Sequence, residues 1–178
     1  MTASALSLEE IVLARLREVP DFPQPGVLFR DFTPLLRDGA ALQTVVDDVA
    51  RRYRGRVDAV VGLEARGFII GSAVAYTLGV GFVPVRKEGK LPAAKVSAEY
   101  GLEYGRATAE MHSDALIGAR RVLIVDDVLA TGGTAAAACS LVEQAGGEVV
   151  GIDVLIELSS LNGREVLENY EVHTIVSL

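Results

Sequence analysis

Apolar residues recur at helical spacing in some stretches of the chain and gather into short solid runs in others. Leu8, Val12, Leu16 and Val19 share one helical face behind the capping box Ser7-Leu8-Glu9-Glu10, so a helix is expected there, stopped by Pro20. Residues 21–34 show no period. Pro23, Pro25 and Pro34 stiffen this stretch, and Phe22, Phe29 and Phe32 make it too apolar for a solvated tether, so it reads as an extended loop. Leu42, Val45, Val46, Val49 and Tyr53 predict a second amphipathic helix. Residues 57–63 form a β-branched apolar run suited to a buried strand. A loop at 62–67, a helix over 68–78 and a strand over 81–85 follow.

The character then changes. Residues 86–104 are polar, carry Lys87, Lys90 and Lys95 and show no sustained period. A loop this long inside a domain is usually functional or mobile, and a long mobile loop is expected, with a strand at 107–111 returning from it. Residues 121–125 read as a buried strand, 134–145 as a helix closed by Gly146-Gly147, and 149–156 and 171–176 as further strands. Strands alternating with helices imply right-handed βαβ units, hence an α/β fold with a mainly parallel sheet flanked by helices. At 178 residues the chain suits a single domain over 1–178, with 1–36 and 158–178 contributing a small cap.

The formal net charge of −7 argues against a nucleic-acid surface, which needs a basic face, but leaves room for a small anion held by local donors. The one cysteine, Cys139, allows no intrachain disulfide and suits a reducing compartment. The N-terminus lacks the pattern of a signal peptide, and no apolar stretch is long enough to span a bilayer. A cytoplasmic protein with no membrane partner is expected.

The most informative segment runs Val122-Leu123-Ile124-Val125-Asp126-Asp127-Val128-Leu129-Ala130-Thr131-Gly132-Gly133-Thr134. A buried strand delivers two carboxylates at its C-terminal end, the edge where open parallel sheets bind ligands. Small residues and two glycines then open a helix whose free N–H groups and dipole favour a phosphate, and Thr131 and Thr134 can add hydroxyl donors. Carboxylates repel phosphate, but they accept from vicinal sugar hydroxyls, and a divalent cation can bridge them to phosphates. The combination fits a ribose 5-phosphate. The plainer alternative makes the acids helix or turn caps and Gly-Gly a turn. Neither a P-loop nor a Gly-x-Gly-x-x-Gly dinucleotide motif is present. His112, His173 and Cys139 lack metal-ligand spacing and read as structural.

This segment resembles the phosphoribosyl-diphosphate signature of the type I phosphoribosyltransferases. The stretches Pro25-Gly26-Val27-Leu28-Phe29-Arg30-Asp31, Gly62-Leu63-Glu64-Ala65-Arg66-Gly67-Phe68, Val83-Pro84-Val85-Arg86-Lys87-Glu88-Gly89-Lys90-Leu91-Pro92, Leu102-Glu103-Tyr104-Gly105 and Glu157-Leu158-Ser159-Ser160-Leu161-Asn162-Gly163-Arg164 are similar, in order, to the adenine-specific branch of that family. Residues 93–100 match least well. The resemblance implies transfer of a 5-phosphoribosyl group from 5-phosphoribosyl 1-diphosphate to adenine, with Mg²⁺, in a homodimer serving purine salvage. Arg66, Arg86, Lys87 and Lys90 would face the diphosphate. Asp126, Asp127, Ala130, Thr131, Gly132, Gly133 and Thr134 would hold the ribose phosphate. Leu28 and Arg30 would read adenine through their backbones while Phe29 and Leu158 pack on its faces. Glu103 would do acid–base work on the base. Mg²⁺ would be held mainly by the ligand, with direct contact to Asp126 left open, and the Glu64–Ala65 peptide would be cis.

Three alternatives remain at this stage: a phosphoribosyltransferase for another base, a non-catalytic regulator that senses the donor, and a methyltransferase. The 25–31 and 157–164 segments oppose the first. The acidic chain, with no added basic region, opposes the second. The third needs its glycines before the acids, and here they follow Asp126-Asp127.

Overall fold

Residues 6–102 and 105–178 are described by the computed structural model. They fall into two units, Met1–Asp48 and Val49–Leu178. In the first unit, helix α1 (Leu8–Leu13) opens on the expected capping box: Ser7 Oγ accepts from the Glu10 N–H at 3.1 Å and the Glu10 carboxylate from the Ser7 N–H at 2.7 Å. The helix does not reach Val19. Arg17–Pro20 (β1) pairs antiparallel with Leu28–Asp31 (β2), placing Arg17 opposite Asp31 and Glu18 opposite Arg30. Both couples form ion pairs, with the Arg17 guanidinium 2.5 Å from Asp31 Oδ2. Opposite charges across a ribbon favour the strand, and Pro20 is tolerated because this two-stranded ribbon has only edges. The helical spacing of Leu16 and Val19 was coincidental. A short helix α2 (Thr33–Arg37) follows, and α3 (Gly39–Tyr53) runs on into the second unit.

The second unit is built on seven strands: β3 (Ala59–Leu63), β4 (Gly81–Lys87), β5 (Lys95–Leu102), β6 (Gly105–His112), β7 (Arg121–Leu129), β8 (Glu148–Glu157) and β9 (Val172–Ser177). Their order is β5-β6-β4-β3-β7-β8-β9. The pairs from β4 through β9 are parallel, while β6 runs antiparallel to β4 and β5 antiparallel to β6. All five residues of β3 are buried, as expected of a central parallel strand covered on both faces. Alternation assigns the two faces. Val61, Leu63, Ile124, Ile152 and Val154 join the core with Ala138, Leu141 and Val142 of helix α5 (Gly133–Gln144). Gly62 and Val125 point the other way, toward Gly71 of helix α4 (Gly67–Leu78).

Two differences from the sequence-based expectation matter for the site. The stretch read as one long loop is largely a hairpin: Lys95–Leu102 pairs residue for residue with Gly105–His112. Val96, Ala98 and Tyr100 alternate toward the core with Ser97, Glu99 and Gly101 between them, a short two-residue period inside a polar stretch that the reading as a loop passed over. The second difference concerns β7, which continues to Leu129, so both aspartates belong to the strand itself. Cys139 is buried on α5, and burial, then the charge of Glu143, pushes its thiol up to about 12.

Candidate active site

Helix α5 begins at Gly132, which has φ of +82° and no side-chain cap. The first N–H of this helix answered from within is that of Ala136, which donates to the Gly132 carbonyl at 2.9 Å. The amides of the first turn are therefore available at the positive end of the helix dipole. They border a cleft lined by Asp126, Val128, Leu129, Ala130, Thr131, Gly132, Thr134, Ala135 and Val154. The structure thus brings together the phosphate-loop residues expected from sequence and sets Asp126 beside them.

Both glycines of the loop answer to the protein's own backbone as well as to any ligand. A Cβ at Gly132 would run into the Gly163 carbonyl and the Val166 side chain, and one at Gly163 would meet the Ala130 carbonyl. A Cβ at Gly133 would lie 2.8 Å from the Gly101 carbonyl and 3.6 Å from the Tyr100 ring. The 162–166 segment therefore presses on one side of the loop and the hairpin strand β5 on the other. Arg164 anchors the first of these, donating to both oxygens of Glu157 at 2.8–2.9 Å and to the Val172 carbonyl at 2.9 Å. Sequence reasoning assigned Gly163 no separate role, because nothing local reveals which backbone will approach it.

Asp126 and Asp127 occupy different environments. The Asp127 carboxylate is buried, with Arg66 Nη2 2.9 Å from Oδ2. Asp126 Oδ1 accepts from the Asp127 N–H at 2.9 Å and lies where a Cβ on Gly67 would sit 2.8 Å away, so the start of α4 must be glycine. Burial, followed by the neighbouring Asp127 charge, pushes the Asp126 carboxyl well above the usual carboxylate range. Burial also raises Asp127, with Arg66 acting in the opposite direction. The pair cannot comfortably hold two charges while the cleft is empty; a hydroxyl donor or a cation would ease the second. Among the described residues no group of three or more His, Cys, Asp or Glu could cage a metal. The donor set fits a cation that takes one contact from Asp126 and the rest from a ligand.

A second cleft adjoins the first at Thr134. It is lined by Leu63, Glu64, Val85, Arg86, Lys87, Tyr100, Ala109 and Thr134. Two of the four predicted cations converge at Glu64, joined by the backbone of a third: its carboxylate accepts from Arg86 Nη2 at 3.1 Å, Lys90 Nζ at 3.2 Å and the Lys87 backbone N–H at 3.0 Å. Burial alone would raise the Glu64 carboxyl, but these three donors outweigh it and hold it at about 2. The Glu64–Ala65 peptide is cis, as the resemblance implied. Sequence reasoning passed over the Glu64 side chain and Tyr100, since a lone acid and a single aromatic carry no functional signal by themselves.

The remaining candidates are placed as follows. Leu28, Phe29 and Arg30 lie on β2, where Phe29 packs edge-on against Phe22 with centroids 5.1 Å apart. Leu158 follows β8, its N–H bonded to the Leu129 carbonyl at 2.9 Å. Glu103 lies outside the described residues. His112 Nε2 sits 2.8 Å from the Pro92 carbonyl, and His173 lies 3.4 Å from the buried Asp153.

A glycine-capped helix start, a strand-borne acid pair and a neighbouring cluster of cations, all at the carboxyl edge of a mainly parallel sheet, define a phosphoribosyltransferase domain. A family profile described as "Phosphoribosyl transferase domain" matches residues 37–176. Relatives narrow the class. The adenine phosphoribosyltransferase of Salinispora tropica is 56% identical over 171 residues, covering 95% of this chain and 90% of its own. Among solved structures, adenine phosphoribosyltransferase from Thermoanaerobacter pseudethanolicus superposes with a TM-score of 0.91 at 48% identity, over 97% of this chain and 100% of that one. The Saccharomyces cerevisiae enzyme, solved with D-2,5-dideoxy-2,5-imino-altritol 1,6-bisphosphate and adenine, gives 0.88 at 40% identity, over 94% and 98%. This chain belongs to the adenine phosphoribosyltransferase family.

Two outcomes follow from the site's geometry. Because the folded state raises the Asp126 carboxyl, it keeps a proton that the unfolded chain releases above about pH 4, so wild-type stability falls as pH rises through that window. Asp126→Asn removes this cost: its melting temperature should exceed wild type by a margin that grows as pH rises above about 4, and a margin independent of pH contradicts the account. Gly163→Ala should cost roughly 1–3 kcal/mol in denaturant unfolding, as for other substitutions forced into filled space. Full stability in that variant would mean the 162–166 segment is free to retreat from the phosphate loop.

Proposed function

We propose that this protein transfers the 5-phosphoribosyl group from 5-phosphoribosyl 1-diphosphate to adenine, giving AMP and diphosphate. The observation that carries this reading is the uncapped start of α5, opening onto a cleft shared with Asp126. Amides of Gly133–Ala135 and the Thr131 and Thr134 hydroxyls would hold the 5-phosphate. Asp126 and Asp127 would accept from the ribose hydroxyls, which also relieves their crowding. Arg66, Arg86, Lys87 and Lys90 would take the diphosphate. The bond from C1 to the diphosphate oxygen breaks, the bond from C1 to an adenine ring nitrogen forms, and that nitrogen releases its proton. Positive charge grows on the ribose ring in between, as in other glycosyl transfers. Glu103 would receive the proton.

Mg²⁺ supplies charge neutralisation to the donor when bound, held by donor oxygens with Asp126 as the candidate protein contact. Leu28 and Arg30 would read the adenine edge through their backbones, and Phe29 and Leu158 would pack on its faces. A carbonyl there accepts from an amino group and repels an oxo group, which separates adenine from hypoxanthine. We further propose a homodimer acting in cytoplasmic purine salvage, with the N-terminal segment and residues 158–178 forming the cap over the base. These readings rest on the family resemblance, with the lone buried Cys139 consistent with a reducing compartment. No helix among the described residues is long and apolar enough to cross a membrane.

The deciding assay is AMP formation from adenine and the donor, with and without Mg²⁺, and with hypoxanthine, guanine, uracil and orotate as competitors. Adenine should be consumed preferentially and chelation should stop the reaction; preference for an oxo base overturns the assignment. Glu103→Gln should lower kcat by about 10²–10⁴-fold, the usual contribution of a general base, with little change in donor binding. Undiminished turnover would remove Glu103 from the chemistry.

A further inference from the structure

Glu64 presents a puzzle in a cleft meant for an anion. It is a carboxylate with a side chain only 12% exposed, placed among the very cations that the diphosphate requires. Left to themselves, Arg86 and Lys90 would repel one another and, as long flexible side chains, drift into solvent. Glu64 prevents this. It follows directly on β3, and its N–H is tied to the Val85 carbonyl at 3.0 Å, so its backbone is registered against β4. From that fixed point the carboxylate receives Arg86, Lys90 and the amide of Lys87.

The two side-chain partners are held differently. Arg86 is clamped at both ends of its fork, with Nη2 on Glu64 and Nη1 on the Lys90 carbonyl at 3.0 Å. Its Nε–H is buried and has no hydrogen-bond partner among the described residues. A donor held beside a cleft without a protein acceptor is free to bond a ligand there. Lys90 is 51% exposed and has a single-point ammonium, so it can change partners at small cost.

We infer that Glu64 is a positioning residue for the diphosphate end of the donor: it fixes Arg86 and parks Lys90 in the empty cleft, then yields Lys90 to the arriving diphosphate. This inference rests on the donor chemistry proposed above. It also accounts for the sign of the charge: one acid that organises the two positive side chains of Arg86 and Lys90 leaves the cluster net positive, while a neutral residue would leave them unanchored.

The test is steady-state kinetics of Glu64→Gln, with inorganic diphosphate as an inhibitor competing with the donor. The glutamine keeps an acceptor and the shape but loses the charge. The donor KM and the diphosphate inhibition constant should both rise about tenfold, the scale of a weakened charge-assisted hydrogen bond. The adenine KM should stay unchanged, and kcat should stay within about twofold because the lost interaction positions a binding group rather than a reacting one. Tighter donor binding in the variant would show that Glu64 merely repels the ligand and would overturn the inference. So would unchanged constants, or equal losses for donor and adenine. Glu64→Asp provides the second arm if the glutamine variant fails to fold: shortened by one methylene, it keeps the charge but should not reach Lys90, and it too should raise only the donor and diphosphate constants. A wild-type protein without AMP-forming activity would sink the function itself; an active wild type with kinetically silent Glu64 variants sinks only this role.

Discussion

A helix that starts without a side-chain cap leaves its first-turn amides to find acceptors elsewhere, and the active site grows out of that constraint at Gly132. The left-handed backbone there turns the chain from β7 into α5 while leaving the amides of the first turn open to the cleft. The contrast with α1, whose capping box satisfies its own start from within, is instructive. The turn must also be held from both sides, and two segments distant in sequence hold it: the Gly163 backbone against Gly132, and the Gly101 carbonyl with the Tyr100 ring against Gly133. A phosphate grip made of backbone has no rotamers to order and no charge to titrate. Its geometry depends on how closely these neighbouring backbones pack.

The side chains around that grip follow a different logic. The chain carries a net charge of −7, yet it must receive a highly anionic donor. Its cations are kept beside acids: Arg66 on Asp127, Arg86 and Lys90 on Glu64, and Lys95 on the buried Glu110 at the base of the hairpin. In the proposed reading, donor binding would be an exchange of partners rather than a neutralisation of bare charge, with sugar hydroxyls taking over Asp126 and Asp127 and the diphosphate taking over the cations. Paired charges lose less solvation on transfer to a ligand than free ones, and they start closer to their bound geometry.

Much of this was legible in the residues. The buried strands at β3, β7 and β8 announce themselves as apolar runs, and the acid pair followed by small residues and Thr-Gly-Gly-Thr marks the place of the cleft. Helix α3 was equally clear from its period. The errors share a cause: a local pattern was outvoted by a partner elsewhere in the chain. Residues 17–20 have helical spacing but join a ribbon because Asp31 and Arg30 supply opposite charges across it. Residues 95–102 alternate only briefly inside a polar stretch and become a strand because residues 105–112 offer a complete antiparallel edge. Glu64 and Gly163 were invisible as site residues for the same reason, since their importance lies in which backbone or guanidinium comes to meet them.

The division between backbone and side-chain recognition bears on what such a site can tolerate. A lysine such as Lys90 can change partners, because a single-point ammonium on a flexible stem reaches the same phosphate from more than one origin. The glycines cannot be rearranged in this way. Gly67 is confined by Asp126, Gly132 by Gly163, Gly163 by Ala130 and Gly133 by Gly101, so each contact fixes the position of the next. These approaches tie the start of α4, the phosphate loop, the 162–166 segment and the hairpin into one constrained set. Displacement of any member is transmitted through hard backbone contacts rather than absorbed by a side chain, since packed interiors have little free volume in which to yield. In this protein the invariable part of the site is therefore its spacing, and the adaptable part is its charge.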